Sequence, residues 1–142
     1  MANIEKTANA EIINDNAFNI PQGFVCTLDM NTNEGKIAVA KALNGAKPLS
    51  KRLDEVFALK GIVTTPGARA NTGEECVNNY LIVNDSKGNE EVLFSQSDGV
   101  TRSLKVIVAL WGEQLKRGET VDVKCIEQEL NNGHTLKTVV PA

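Results

Sequence analysis

Aromatic side chains are scarce in this chain, with four Phe, one Tyr and one Trp among 142 residues. Each ring therefore has to be placed individually. Histidine occurs once, as His134 beside Gly133, a turn position around which no Ser or Cys triad can be assembled. The three cysteines, Cys26, Cys76 and Cys125, are far apart and form no CxxC pair. An odd number of isolated thiols excludes a disulfide framework and a zinc site, and leaves small buried apolar side chains. The sequence also lacks GxxxxGK[ST], GxGxxG and HExxH, so neither a phosphate loop, a dinucleotide fingerprint nor a metalloprotease helix is present. Catalysis is not expected, nor is any cofactor or metal. No apolar run approaches the roughly 20 residues of a membrane helix. The N-terminal stretch MANIEKTANAEIINDNAF has neither the basic nor the apolar region of a secretory signal. A cytoplasmic protein without a membrane partner is the expectation. Positive charge is short as well: 15 Lys and Arg face 18 Asp and Glu, for a net charge of −3. A nucleic acid could be held only by a local patch.

What is present suits one soluble domain, with 42% apolar and 23% charged residues. Residues 1–17 are rich in Asn, Ala and Glu and read as a flexible arm. Ile12 and Ile13 in it are candidates for docking on a neighbouring subunit, which makes a homo-oligomer the expectation. Residues 18–142 form the domain. Ile20–Gly23 is a turn and Phe24–Leu28 alternates as a short strand. A helix is predicted from Glu34 to about Leu43, capped by Thr32 or Asn33, with Ile37, Ala40 and Leu43 on its apolar stripe.

The stretch Leu53–Val83 reads as a long strand, a Gly-rich loop over Thr65–Glu74 carrying Arg69, and a second strand. Gly61 interrupts the first arm where a strongly curved strand needs a residue without a side chain. Asn84–Asn89 is a dense turn signal, and Glu91–Ser95 is a third strand. In the helix that follows, Leu104, Ile107 or Val108, Trp111 and Leu115 share one face. Glu119–Leu130 and His134–Val140 are the last two strands, joined through Asn131-Asn132-Gly133.

Three strands, a helix and two strands make a mainly β fold. The order predicts an OB-fold-like five-stranded antiparallel barrel, with one helix between strands three and four and an N-terminal strand and helix added. An SH3-like barrel or a small α+β sandwich is the competing reading. OB barrels bind oligonucleotides or oligosaccharides across strands two and three, between the loops joining strands one to two and four to five. If Val77, Leu81 and Val83 face the core, Asn78, Tyr80 and Ile82 face out. Strand three offers Phe94 or Leu93 to the same surface, depending on register. A Tyr and a Phe on neighbouring strands form a stacking platform for bases. Lys60, Arg69, Lys87 and Arg102 are candidates to follow phosphates, and Asn71, Asn78 and Asn132 to donate hydrogen bonds. The competing assignment is a protein-interaction module on the same barrel.

The run FALKGIVTTPG…NNYLIV…EVLFSQSDGVTRSLKVIVALWGEQL resembles the small OB-fold single-stranded DNA-binding proteins of bacteriophages and Gram-positive conjugative plasmids. The resemblance extends from about Phe24 onward. It implies a non-catalytic cytoplasmic protein that binds single-stranded DNA, with duplex DNA as a second candidate partner, in DNA transfer or phage replication. Housekeeping single-strand binders end in an acidic tail that recruits partners. This sequence stops at Val139-Val140-Pro141-Ala142, so recruitment by such a tail is not expected.

Overall fold

β-branched and apolar residues concentrated between Val56 and Val83 pair along most of their length, and the other elements are arranged on that pair. The computed structural model describes residues 25–142. The arm with Ile12 and Ile13, the Ile20–Gly23 turn and Phe24 lie outside the described residues. Helix α1 is Asn33–Gly45, followed by the two-residue strand β1, Lys47–Pro48, and a 3₁₀ turn, Leu49–Lys51. Then come β2 (Val56–Ala68), β3 (Glu75–Asn84), β4 (Glu90–Ser95), helix α2 (Asp98–Lys116), β5 (Val121–Glu129) and β6 (Thr135–Pro141).

They form one six-stranded sheet in the order β1-β4-β3-β2-β5-β6, curled into a half-barrel. The sheet is mixed, because β1 runs parallel to β4 while the other neighbours are antiparallel. The five-strand, all-antiparallel expectation is corrected by this extra edge strand. Its Lys47 and Pro48 blunt the free edge of β4, as charged and proline residues do.

The curl originates in β2. Val56–Leu59 pairs with β5, Ala58–Ala68 pairs with β3, and a bulge at Lys60 separates the two registers. A bulge bends its strand and increases the twist. At Gly61 an added Cβ would lie 3.0 Å from the Leu28 side chain, so the missing side chain lets the Thr27–Leu28 segment approach. The expected strand over Phe24–Leu28 is reduced, among the described residues, to a single bridge between Cys26 and Val63. Two hydrogen bonds flank it, from Thr27 N to the Ile62 carbonyl and from Thr64 N to the Val25 carbonyl. The loop after β2 is shorter than the sequence suggested. Thr65–Ala68 continues the ladder opposite Glu75–Asn78. Pro66 is tolerated because the N–H groups of the same parity, Ile62 and Thr64, point away from β3, so the ladder with β3 loses no bond.

The core lies on the concave face. Phe57, Leu59, Ile62, Leu81, Val83, Leu93, Val123, Cys125 and Val139 meet Val100, Leu104, Ile107 and Leu115 of α2. The α2 stripe read from the sequence is the one buried, except that Trp111 is half-buried at its margin. The α1 stripe is corrected. Val39 and Ala42 are buried, whereas Ile37 is 54% exposed. Helix α1 lies against β3 with Ala38 beside Ile82, and that contact selects a face rotated from the most apolar one.

Helix α2 also covers the open edge of β6. Ser103 Oγ accepts the Val139 N–H at 2.9 Å, and Gly99 lies so close to β6 that a Cβ there would be 2.2 Å from the Lys137 carbonyl oxygen. Pro141 falls on the same outward-facing parity as Val139 and has no N–H to expose.

Candidate nucleic-acid interface

The register of β3 and β4 assigns the rings. Leu81 pairs with Leu93, both fully buried, and the next pair is Tyr80 with Phe94. Successive residues alternate faces, so Phe94, not Leu93, shares the convex surface with Tyr80. Both rings are half-buried, with centroids 5.2 Å apart and planes tilted by 54°. That tilted geometry is a favoured arrangement of two aromatic quadrupoles. Val63 of β2 stands opposite Tyr80. Asn78, Tyr80 and Ile82 do share the convex face, but Ile82 is only 3% exposed because α1 covers it. The platform is thus bounded on one side by α1.

Two pairs further along, at the next position on this face, the side chains turn polar. Asn78 stands opposite Thr65, and its Nδ2 lies 3.4 Å from both Thr65 Oγ1 and the Pro66 carbonyl. Its Oδ1 accepts from Gln96 Nε2 at 2.9 Å, and the same nitrogen donates to the Ala68 carbonyl at 3.3 Å. The Asn78 amide lies across Gly67, where a Cβ would come within 2.3 Å of it. Sequence reasoning missed Gln96. Its signal was a position two residues beyond Phe94, hence on the same face if the strand continues.

Arg69 opens the loop that follows β2 and is not a free cation. Its Nη2 lies 3.0 Å from Asp98 Oδ1, its Nε 3.3 Å from Glu74 Oε1, and its Nη1 donates to the Gln96 carbonyl at 3.3 Å. Asn71 is exposed in the same loop. Lys60, at the bulge, lies 3.6 Å from Glu90. Lys87 is exposed in the β3–β4 turn, where its backbone N–H donates to Asp85 Oδ1 at 2.9 Å. The N–H groups of Asn89 and Lys87 hold the Asp85 carboxyl below its ordinary range. Arg102 is exposed on α2. Asn132 is in the β5–β6 hairpin, its Oδ1 accepting the His134 N–H at 3.1 Å. The structure therefore groups Asn78, Tyr80 and Phe94 on one surface with the Arg69 loop at its rim. It does not bring Asn132 to them. Pairing of Val56 with Lys124 carries the β5–β6 hairpin past the beginning of β2, away from the Arg69 loop at its end.

Beneath the platform, Asn79 is fully buried. Its Nδ2 donates to the Ser95 carbonyl at 3.0 Å and to Thr101 Oγ1 at 2.9 Å, tying β3 to the end of β4 and the first turn of α2. The Asn79 Oδ1 has no partner among the described residues. Two of the three thiols, Cys26 and Cys125, are kept unreactive by their surroundings. Burial raises the Cys26 pKa and pushes that of Cys125 up to about 11, so both stay protonated near neutrality. Among the described residues no group of three His, Cys, Asp or Glu is arranged to hold a metal ion. No helix among them is long and apolar enough to cross a membrane.

Comparison with protein-family profiles, with characterised proteins and with solved structures gives no match to this chain.

Proposed function

We propose that this protein binds single-stranded DNA without strong sequence preference, on the convex face of an OB-like open barrel. The observation that carries this reading is the Tyr80–Phe94 pair, two adjacent rings standing on the side of the sheet away from its core. They adjoin Val63 and Ile82, which are buried on the same face, but are themselves only half-buried, which leaves ring surface for a base. Stacking is sequence-tolerant because every base has a π-face, and it is worth about 1–3 kcal/mol per base. The strand connectivity gives secondary support. One long bent strand pairs with two partners, and a helix sits between the third and fourth long strands, as in an OB barrel. Among the described residues no ladder joins β4 to β6, so the barrel is open at that seam.

In this reading Lys60, Lys87 and, after rearrangement, Arg69 neutralise phosphates, while Asn71 and Asn78 offer hydrogen bonds; Asn132 in its hairpin and Arg102 on α2, across the sheet, lie away from this face. The protein acts in the cytoplasm, in conjugative or phage DNA metabolism, with copies associating through residues 1–17. Titration of a fluorescent oligo-dT at two salt concentrations tests the central claim. Binding that weakens with salt is expected, because phosphate neutralisation releases counterions. Absence of binding at low salt removes the reading.

A further inference from the structure

The Arg69 loop combines a firmly built backbone with a loosely held cation. The Arg69 N–H donates to the Glu74 carbonyl at 2.9 Å and the Gly73 N–H to the Arg69 carbonyl at 2.8 Å. Gly73 takes φ of 73°, a left-handed conformation that glycine adopts without strain. Gln96 holds the base of the loop through Ala68. None of these bonds involves the guanidinium, so the loop keeps its shape if that group changes partners.

The carboxylates on the guanidinium are of a different kind. The Asp98 and Glu74 side chains are 73% and 71% exposed, against 27% for Arg69. Solvated ion pairs of this sort contribute little, and salt weakens them further. Two carboxylates on one guanidinium also leave the loop with a local charge of about −1, which repels a polyanion at the rim of the surface where the rings would stack bases.

We infer that Asp98 and Glu74 form an exchangeable clasp on Arg69, occupying the guanidinium in place of a phosphodiester until a nucleic-acid backbone displaces them. The inference rests on the proposed binding face and names the step by which its rim engages phosphate. A phosphate offers the same planar pair of acceptor oxygens that a carboxylate does, so the fork of Arg69 is matched to either. Exchange costs the two exposed pairs and the 3.3 Å bond from Nη1 to the Gln96 carbonyl, and leaves Asp98 and Glu74 free to take up cations. The clasp therefore lowers affinity and flattens its salt dependence, and weakly charged anions do not open it.

The test is a mutant cycle read by fluorescent oligo-dT binding across a salt series. Glu74→Gln with Asp98→Asn is expected to tighten binding roughly two- to thirtyfold at low salt, the scale of two exposed ion pairs. It should also steepen the log–log salt slope by about 0.7, the value for one single-strand phosphate contact. Both effects should vanish when Arg69→Gln is added, a change that removes the charge while keeping a polar stem. A gain that persists without Arg69 would mark a general loss of acidity and overturn the clasp, as would no gain at all. Failure of the wild-type protein to bind any oligonucleotide removes the function itself. Binding that responds to Tyr80→Ala but not to the cycle removes only the clasp. Thermal melts of each variant confirm that the differences are read from folded protein.

Discussion

Tyr80 is the residue on which the functional reading turns. Tyr80→Ala leaves the concave core untouched, and it is expected to weaken oligo-dT binding roughly five- to 150-fold, the range spanned by one stacked base. Fluorescence anisotropy reads the change, and unchanged affinity would move the site off this face. Gly99 carries the opposite kind of information. With the Lys137 carbonyl oxygen 2.2 Å from any added Cβ, backbone has to move to admit even a methyl group. Gly99→Ala is expected to destabilise the fold by about 1–3 kcal/mol, the usual cost of overpacking. Urea denaturation measures it, and a variant as stable as the parent would mean that α2 does not press on β6. The thiols give a simpler check. Cys125 is buried and its pKa lies near 11, so alkylation at neutral pH should require denaturant.

Among the elements, the 3₁₀ turn and the edge strand are held by a charged clamp centred on Arg52. Arg52 forks onto Glu55 at 2.8 and 2.9 Å and onto Glu91 at 2.8 and 3.0 Å. Its guanidinium also lies 5.1 Å from the centre of the Phe57 ring, within range of a cation–π contact. Hydrogen bonds from Arg52 hold the Glu55 and Glu91 carboxyls below their ordinary range. Carboxylates so depressed stabilise the fold fully above the unfolded value of about 4.3, and that stabilisation is lost as pH falls through the lower folded values. Arg52→Met should therefore lower the urea midpoint at neutral pH and flatten its fall under acid. A variant with the parent's acid profile would assign that profile to other carboxylates. The clamp was hidden in the sequence because Glu91 lies 39 residues from Arg52, although Glu55 is only three away. Only the return of β4 beside the turn joins Glu91 to Arg52.

For the whole molecule, the half-barrel is closed differently from a complete barrel. Ser103 and Gly99 of α2 occupy the β6 edge, while β1 covers part of the β4 edge, so neither edge is left as a long unpaired row. The convex face stays partly open beside α1. Assembly belongs to this scale too. Deleting residues 1–16, with Ile12 and Ile13, is expected to reduce oligomer size and cooperativity on DNA while the barrel stays folded. Identical elution and binding curves for both forms would rule the arm out.

Much of this was written locally. Alternation in Val77–Val83, the stripe Leu104–Leu115, the break at Gly61 and the Asn-Gly turn all depend on residues close in sequence, and period and turn chemistry express them directly. The tertiary structure decided what a period cannot. It chose Phe94 over Leu93 through the β3–β4 register, and it rotated α1 away from Ile37 because the contact with Ile82, not apolar content, selects the buried face. It also drew Arg69 onto Asp98, 29 residues further along the chain. Pairing across such separations is set by which segments fold back together, and a side chain's partners follow from that closure rather than from its neighbours in sequence.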